Sequence, residues 1–360
     1  MHKHFCLPSP PKNILVIALR HLGDVVLCTP LISSLQQAYP QANINVLVYK
    51  STASILEGNP DINEIITVSN KPDRKEYLAL VKQIFRHYDL AVVTQCGDRP
   101  YIYSLLASGK RIGLVPDKQS KGWWKRYLVK GWAEFDDVNT HTVIQLLQLM
   151  DVLKKPRLYQ LTTTAPKALN TVQTSSNYAV LHLYPLWTYK RWTLEGWTHI
   201  AHYLLEHNIK IILTGGPDKS EIDYVTEFHK QLPTQVINLA GKTNLGQLSN
   251  LISHAKLFIG PDTGVTHLAA ATGTPTISLF GPTNPIKWAP WPKDYSSETN
   301  PFIKKGNQHI NNVYLIQGKG DCVPCHLEGC NQHRESHSTC LDSLAPEEVV
   351  TAIDQILQTS

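Results

Sequence analysis

The chain has 360 residues, 42% of them hydrophobic and 18% charged, and 34 Lys and Arg against 29 Asp and Glu leave a net charge of +5. That length permits two domains with full cores, and so mild a charge does not call for duplex nucleic acid as a partner. No run approaches the roughly 18 apolar residues of a membrane span, and the opening Met1–Pro8 lacks the apolar stretch of a signal peptide, which predicts a cytoplasmic protein.

In chain order, a loose Pro-containing leader precedes Ile14–Leu19, an apolar run of strand length. Arg20-His21-Leu22-Gly23-Asp24 then makes a turn, and Val25–Tyr39 has helical spacing with Pro30 expected to begin or kink its main part. Asp24 stands at the helix start, where a carboxylate is favoured. The C-terminal end of a first parallel strand is also where open α/β sheets place chemistry, so cap and catalyst are both open for it. Alternation continues through strands Asn45–Tyr49, Ile65–Val68, Leu90–Gln95 and Ile112–Val115, with helices near Ala53–Glu57, Arg74–His87 and Ile102–Ala107. This order of strands and helices predicts a parallel, doubly wound sheet.

Lys118–Trp132 follows, with five cations, three tryptophans and no acid. Basic residues mixed with indoles suit an anionic glycolipid or headgroup surface; the alternative is a solvated loop with tryptophans tucked inward. Lys121, Lys125 and Arg126 are the candidate contacts for an anionic acceptor. After helix Val143–Leu153, the weakly patterned Lys154–Asn177 reads as a linker. The alternation restarts with strands Tyr178–Tyr184, Ile209–Leu213 and Val236–Leu239, and helices Leu194–Glu206, Glu221–Leu232 and Leu245–His254.

The second half culminates in Gly260–Ala271, flanked by the apolar runs Lys256–Ile259 and Thr276–Phe280. Asp262 and Thr263 are N-cap types, Gly264 lets a ligand approach the backbone, and the helix they open would aim its unpaired N–H groups at an anion. His267 follows Thr263 by one turn, and Ala269-Ala270-Ala271 offers a thin side to the sheet. Three further loops share the same sheet edge: Trp187–Trp192, Gly215-Gly216-Pro217 and the loop of Thr243. Lys190 and Arg191 could neutralise a diphosphate, Gly215 and Gly216 allow close approach, and Glu221 could accept from ribose hydroxyls. Together these point to a nucleotide diphosphate ligand. Neither half carries G-x-G-x-x-G after its first strand, which argues against a dinucleotide oxidoreductase.

These motifs resemble the ADP-heptose:lipopolysaccharide heptosyltransferases, glycosyltransferase family 9. The matching pieces are Ile14-Leu15-Val16-Ile17, Gly23-Asp24-Val25-Val26, Thr29-Pro30, Lys190-Arg191-Trp192, and Asp262-Thr263-Gly264 with His267 and Ala270. The similarity runs over nearly the whole chain, and the heptosyltransferase III branch, which adds the side heptose of the inner core, is nearest in look. The resemblance implies an α/β, GT-B architecture of two Rossmann-like doubly wound domains facing across a cleft. Residues 1–165 would bind the acceptor, 166–177 link, 178–345 bind the donor, and 346–360 form a terminal helix. It implies an inverting transfer from ADP-L-glycero-β-D-manno-heptose to a lipid A–Kdo–heptose acceptor at the cytoplasmic face of the inner membrane, with no cofactor or catalytic metal. Asp24 would be the general base, and Lys190, Glu221, Thr243, Asp262, Thr263, Gly264 and His267 would touch the donor. Pro185-Leu186 and Thr243 depart from the heptosyltransferase I pattern, which has a threonine pair and a methionine there. A GT-B nucleotide-sugar 2-epimerase and a non-catalytic nucleotide or glycolipid binder are the competing readings.

Of seven cysteines, Cys6, Cys28 and Cys96 are scattered and expected as free thiols, whereas Cys322, Cys325, Cys330 and Cys340 cluster. Four cysteines at short spacing could form a structural zinc site or remain thiols, or pair adventitiously. Pro346–Gln358 keeps the spacing of an amphipathic terminal helix.

Overall fold

The computed structural model describes residues 1–163 and 177–359. It separates into two compact units, Met1–Thr164 with Ser296–Asn300, and Ala165–Tyr295 with Pro301–Ser360. The linker expected at 166–177 lies outside the described residues but for Asn177. Lys154–Thr163, read as the start of that linker, holds to the first unit: Leu158 N–H donates to Ser34 Oγ and Thr162 N–H to Thr29 Oγ1.

The first unit runs β1 (His2–Lys3), β2 (Asn13–Ile17), α1 (Leu22–Leu27), α2 (Thr29–Ala38), β3 (Asn43–Tyr49), β4 (Glu64–Val68), α3 (Arg74–Ile84), β5 (Leu90–Val93), α4 (Asp98–Ala107), β6 (Arg111–Val115), β7 (Gly131–Glu134) and α5 (Thr142–Val152). Its sheet order is β1-β7-β6-β5-β2-β3-β4, parallel throughout except for β1 on β7. Ile14–Ile17 and Leu90–Val93 are fully buried, as strands covered on both faces must be. The single helix expected over Val25–Tyr39 is broken at Cys28, and Pro30 sits in the first turn of the second piece, where its missing N–H is harmless. The helix expected at Ala53–Glu57 is a 3₁₀ turn over Lys50–Leu56.

The second unit runs β8 (Tyr178–His182), α6 (Leu194–Glu206), β9 (Lys210–Thr214), α7 (Lys219–His229), β10 (Ile237–Asn238), α8 (Leu245–Ser253), β11 (Leu257–Pro261), α9 (Gly264–Thr272), β12 (Thr276–Phe280), α10 (Pro285–Trp288), β13 (Gln308–Ile310), β14 (Val313–Gln317), α11 (Thr339–Asp342) and α12 (Pro346–Thr359). Its order is β10-β9-β8-β11-β12-β14-β13, with only β13 antiparallel. Trp192 packs so closely on α6 that a Cβ at Gly196 would lie 2.4 Å from its ring, and its Nε1 donates to Leu344 O at 3.0 Å. That contact pins the loop after β8. The terminal helix α12 packs on α6.

Each sheet winds outward in both directions from one adjacent pair of strands, β2 with β5 and β8 with β11. Chain loops leave such a pair in opposite directions at the carboxyl edge, opening a crevice for ligand there. Among the described residues no helix is long and apolar enough to cross a membrane.

Candidate functional site

In the second unit the loop after β8 and the loop after β11 meet at the switch point. Lys190, in a 3₁₀ turn over Thr188–Lys190, places Nζ 2.5 Å from Asp262 Oδ2, with side chains only 14% and 7% exposed. The ammonium also lies 5.1 Å from the centre of the Trp187 ring, which stacks on Tyr189 at 5.7 Å. Two charges so removed from water persist because each neutralises the other, and the indole face adds a cation–π attraction. Thr263 is the N-cap residue of α9 but makes no side-chain cap hydrogen bond; its hydroxyl faces Thr266 Oγ1 at 3.2 Å instead. Thr266 N–H already donates to Thr263 O at 3.1 Å, and by helix geometry the N–H groups of Gly264 and Val265 lack an intrahelical acceptor, so this is an anion-accepting helix start. Gly264 opens α9, and His267, one turn on, is buried with Ala269, Ala270 and Ala271.

Glu221 projects from the first turn of α7 back to the Gly215–Gly216 turn, its carboxylate lying against the Gly216 backbone. A Cβ on Gly216 would meet Glu221 Oε2 at 2.8 Å, and one on Gly215 would meet Glu221 Cγ at 3.1 Å. The two glycines thus make room for Glu221 itself, which the sequence reading assigned to a ligand's approach. Burial pushes the Glu221 carboxyl above its usual range. His182, which sequence reading missed, ends β8 with Nε2 3.9 Å from Glu221 Oε1 and Nδ1 3.2 Å from Thr214 Oγ1. Burial pulls its pKa down to about 4, so the imidazole is neutral at pH 7. Arg191 does not join Lys190. Its guanidinium lies 4.2 Å from the Tyr184 ring centre and 5.3 Å from that of Tyr224, and its buried Nε has no hydrogen-bond partner. Half-buried Thr243 directly precedes Asn244, which caps α8 through a reciprocal capping box with Gln247.

In the first unit, Asp24 lies within the first turn of α1 and is not its cap; the N-cap residue is His21, without a side-chain cap bond. Its Oδ1 is 3.1 Å from Arg20 Nε, the two side chains being 15% and 42% exposed. The same switch point carries a second residue missed from sequence. Gln95, after β5, donates through Nε2 to Leu19 O at 3.1 Å, while its buried Oε1 has no hydrogen-bond partner.

The basic, tryptophan-bearing segment divides. Lys125 and Arg126, expected to face an acceptor, are turned inward at 6% and 9% exposure. Lys125 Nζ donates to Cys96 O at 2.5 Å and pairs with Asp98 at 2.6 Å, and Arg126 donates to the carbonyls of Trp123 and Pro116. Their charges are consumed in holding the segment to the domain; Lys121 remains exposed. Cys322, Cys325, Cys330 and Cys340, considered for zinc, are all free thiols, and among the described residues no three His, Cys, Asp or Glu side chains are drawn together in the geometry that holds a metal ion. Cys340 is buried on α11, where burial raises its thiol pKa to about 11, whereas Cys322 and Cys330 are exposed and Cys330 Sγ accepts from Thr339 N–H. This C-terminal segment instead braces the Lys190 loop. Thr188 N–H donates to Arg334 O at 2.9 Å, Ser338 Oγ to Tyr189 O at 2.6 Å, and Arg334 covers the Trp187 ring at 5.3 Å.

Comparison with known proteins agrees with this architecture. Glycosyltransferase family 9 (heptosyltransferase) matches over residues 78–314. Lipopolysaccharide heptosyltransferase 3 of Escherichia coli K12 is 32% identical over 291 residues, 76% of this chain and 83% of the relative. Among solved structures, a family 9 glycosyl transferase from Veillonella parvula superposes with a TM-score of 0.75 at 19% identity, covering 97% of this chain and 98% of its own. The E. coli heptosyltransferase WaaC with ADP superposes at 0.72 and 18% identity, covering 96% and 99%. The fold is therefore GT-B, built from two Rossmann-like domains.

Proposed function

The chain belongs to glycosyltransferase family 9, and on that footing we propose that it transfers a heptose from ADP-heptose to the inner core of lipopolysaccharide, in the manner of heptosyltransferase III. The observation that carries this reading is the Lys190–Asp262 pair beside the uncapped start of α9, at the strand pair from which the second sheet unwinds. A buried ammonium held 2.5 Å from a carboxylate, next to a helix dipole, is a preorganised seat for a diphosphate.

In the proposed reaction Asp24 accepts the proton of an acceptor hydroxyl. The hydroxyl oxygen forms a bond to the anomeric carbon as the bond to the β-phosphate oxygen breaks, inverting the centre and releasing ADP. Lys190 and the α9 N–H groups take up the charge that grows on the leaving diphosphate, so the reading assigns no metal to this step. Glu221, set against the Gly215–Gly216 turn, is the proposed acceptor for ribose hydroxyls. The acceptor is a membrane lipid, and the reaction is assigned to the cytoplasmic membrane face. Incubation with ADP-heptose and a core acceptor lacking the side heptose is expected to yield ADP and an acceptor heavier by one heptose, unchanged by EDTA. Release of a free sugar epimer, or tight ADP binding without transfer, would overturn the reading.

A further inference from the structure

The exposed apolar side chains of this protein are not scattered. Of fourteen large hydrophobic residues exposed among the described residues, eight come from three consecutive crossovers of the first unit. On α3, Leu78 and Phe85 are 66% and 53% exposed and lie two turns apart on one face. On α4, Ile102 and Leu105 form a second outward stripe. The 3₁₀ turn Trp123–Tyr127, between β6 and β7, adds Trp123, Trp124 and Tyr127 at 48%, 44% and 75% exposure.

These elements form one layer. The crossovers β4→β5, β5→β6 and β6→β7 all advance in the same direction along the sheet, so right-handed connections put them on the same side. Direct contacts join them: the Tyr77 and Tyr103 rings are 6.2 Å apart, and Lys125 reaches from the 3₁₀ turn to Asp98 at the start of α4.

Charge is concentrated in the same span. Residues 71–130 contain thirteen Lys and Arg, of which Lys125 and Arg126 are turned inward, and five Asp and Glu, a net charge of +8 against +5 for the whole chain. The rest of the molecule is therefore slightly acidic. Lys75, Lys82, Lys118 and Lys121 are exposed, while two of the acids, Asp98 and Glu76, are already paired with Lys125 and Lys50. An ordinary solvated face has no reason to combine so many exposed rings with exposed lysines of one sign, whereas interfacial aromatics within a cation field match an anionic bilayer.

We propose that the layer of α3, α4 and the Trp123–Tyr127 turn is the face on which this protein docks to an anionic lipid surface, its rings seated at headgroup depth and its lysines over lipid phosphates. The choice of a lipid as occupant rests on the proposed function; the surface itself does not.

The test uses the full chain without donor or acceptor, and vesicles of phosphatidylcholine alone or with one third phosphatidylglycerol. Wild type is expected to sediment with the anionic vesicles at low salt, with a blue shift of tryptophan emission, and to lose binding as salt rises. Lys75→Ala/Lys82→Ala/Lys118→Ala is expected to weaken partitioning on the order of a hundredfold. Trp123→Ser/Trp124→Ser is expected to abolish the emission shift and weaken binding even at low salt. These positions are exposed, so circular dichroism should be unchanged. Failure of the wild type to bind, wild-type binding in both variants, or a concentration-dependent dimer that the tryptophan variant dissolves would each overturn the proposal. Transfer to a deacylated, soluble core acceptor separates the two readings. Transfer without vesicle binding sinks the docking face alone, and vesicle binding without transfer upholds the face and sinks the enzymatic assignment.

Discussion

Both sheets place a carboxylate and a cation at their switch points, and the two pairs are built to opposite ends. Arg20 and Asp24 meet at 3.1 Å in the first turn of α1, the arginine 42% and the aspartate 15% exposed. Lys190 and Asp262 meet at 2.5 Å with both side chains mostly buried, under the stacked Trp187 and Tyr189 rings. A pair with one exposed member contributes little to stability, since water competes for the guanidinium and can free the carboxylate. A buried pair of the second kind cannot lose a member without stranding a charge. The first suits the proton exchange proposed for Asp24, and the second holds a cation still.

The sharpest break of this contrast is Asp24→Asn, which keeps the shape of the side chain and removes the proposed base. It is expected to lower kcat by about 10²–10⁴ while ADP affinity and the unfolding midpoint stay put. Near-normal turnover would reduce Asp24 to a favourable charge at the start of α1.

Asp262→Ala tests the other pair. Stranding the Lys190 ammonium is expected to lower stability by about 3 kcal/mol, by urea unfolding. In the converse variant, Lys190→Met, calorimetry is expected to show ADP affinity down by about 10- to 100-fold, the worth of a charged hydrogen bond to phosphate. Unaltered ADP affinity there would put the diphosphate elsewhere.

His182 offers a pH test of the same crevice. Its folded pKa, about 4, lies below the ordinary value of 6.5 because the ring is buried. The unfolded chain therefore takes up a proton that the folded one refuses as pH falls through 6.5 toward 4, and stability falls with it. Between pH 7 and 5 this loss is about 2 kcal/mol. Glu221, with its pKa raised, works in the opposite direction, gaining rather than losing stability on acidification. The discriminating measurement is thus the difference between wild type and His182→Gln, whose urea midpoint should depend less on pH over that window. Equal slopes would mean that the imidazole is already protonated at pH 5.

Much of this was legible in the chain. The two doubly wound sheets follow from runs such as Ile14–Ile17 and Val180–Leu181, whose continuous apolar character suits strands covered on both faces. Lys190 and Asp262 were recognisable as site residues from their types and their place after parallel strands, but their pairing was not, since 72 residues separate them. Lys125 and Arg126 were misread because a cation's sequence neighbours say nothing of the carbonyls of Cys96 and Pro116 that bind it. The glycines at 215 and 216 were read toward a ligand when the nearer occupant was Glu221. The hairpin of β13 and β14 did carry a signal. Asn311-Asn312 separates Gln308–Ile310 from the apolar Val313–Gln317, and Asn311 takes a positive φ of 50°, as two-residue hairpin turns favour.

The smallest expected effect closes the comparison. Arg20→Ala removes the ion-pair partner of Asp24, and because that arginine is 42% exposed, water can take the place of its guanidinium at little expense. Stability should shift by less than about 1 kcal/mol, well below the shift for Asp262→Ala. Because a released Asp24 samples more rotamers, kcat should fall a few-fold while ADP affinity holds, as expected when only the geometry of proton transfer is loosened. Adding salt should not deepen the stability change, since the pair contributed little for ions to screen. If Arg20→Ala were to destabilise the protein as much as Asp262→Ala does, the two pairs would be alike in kind. Asp24 would then be a structural carboxylate, held like Asp262, and the proton would have to leave the acceptor by another route.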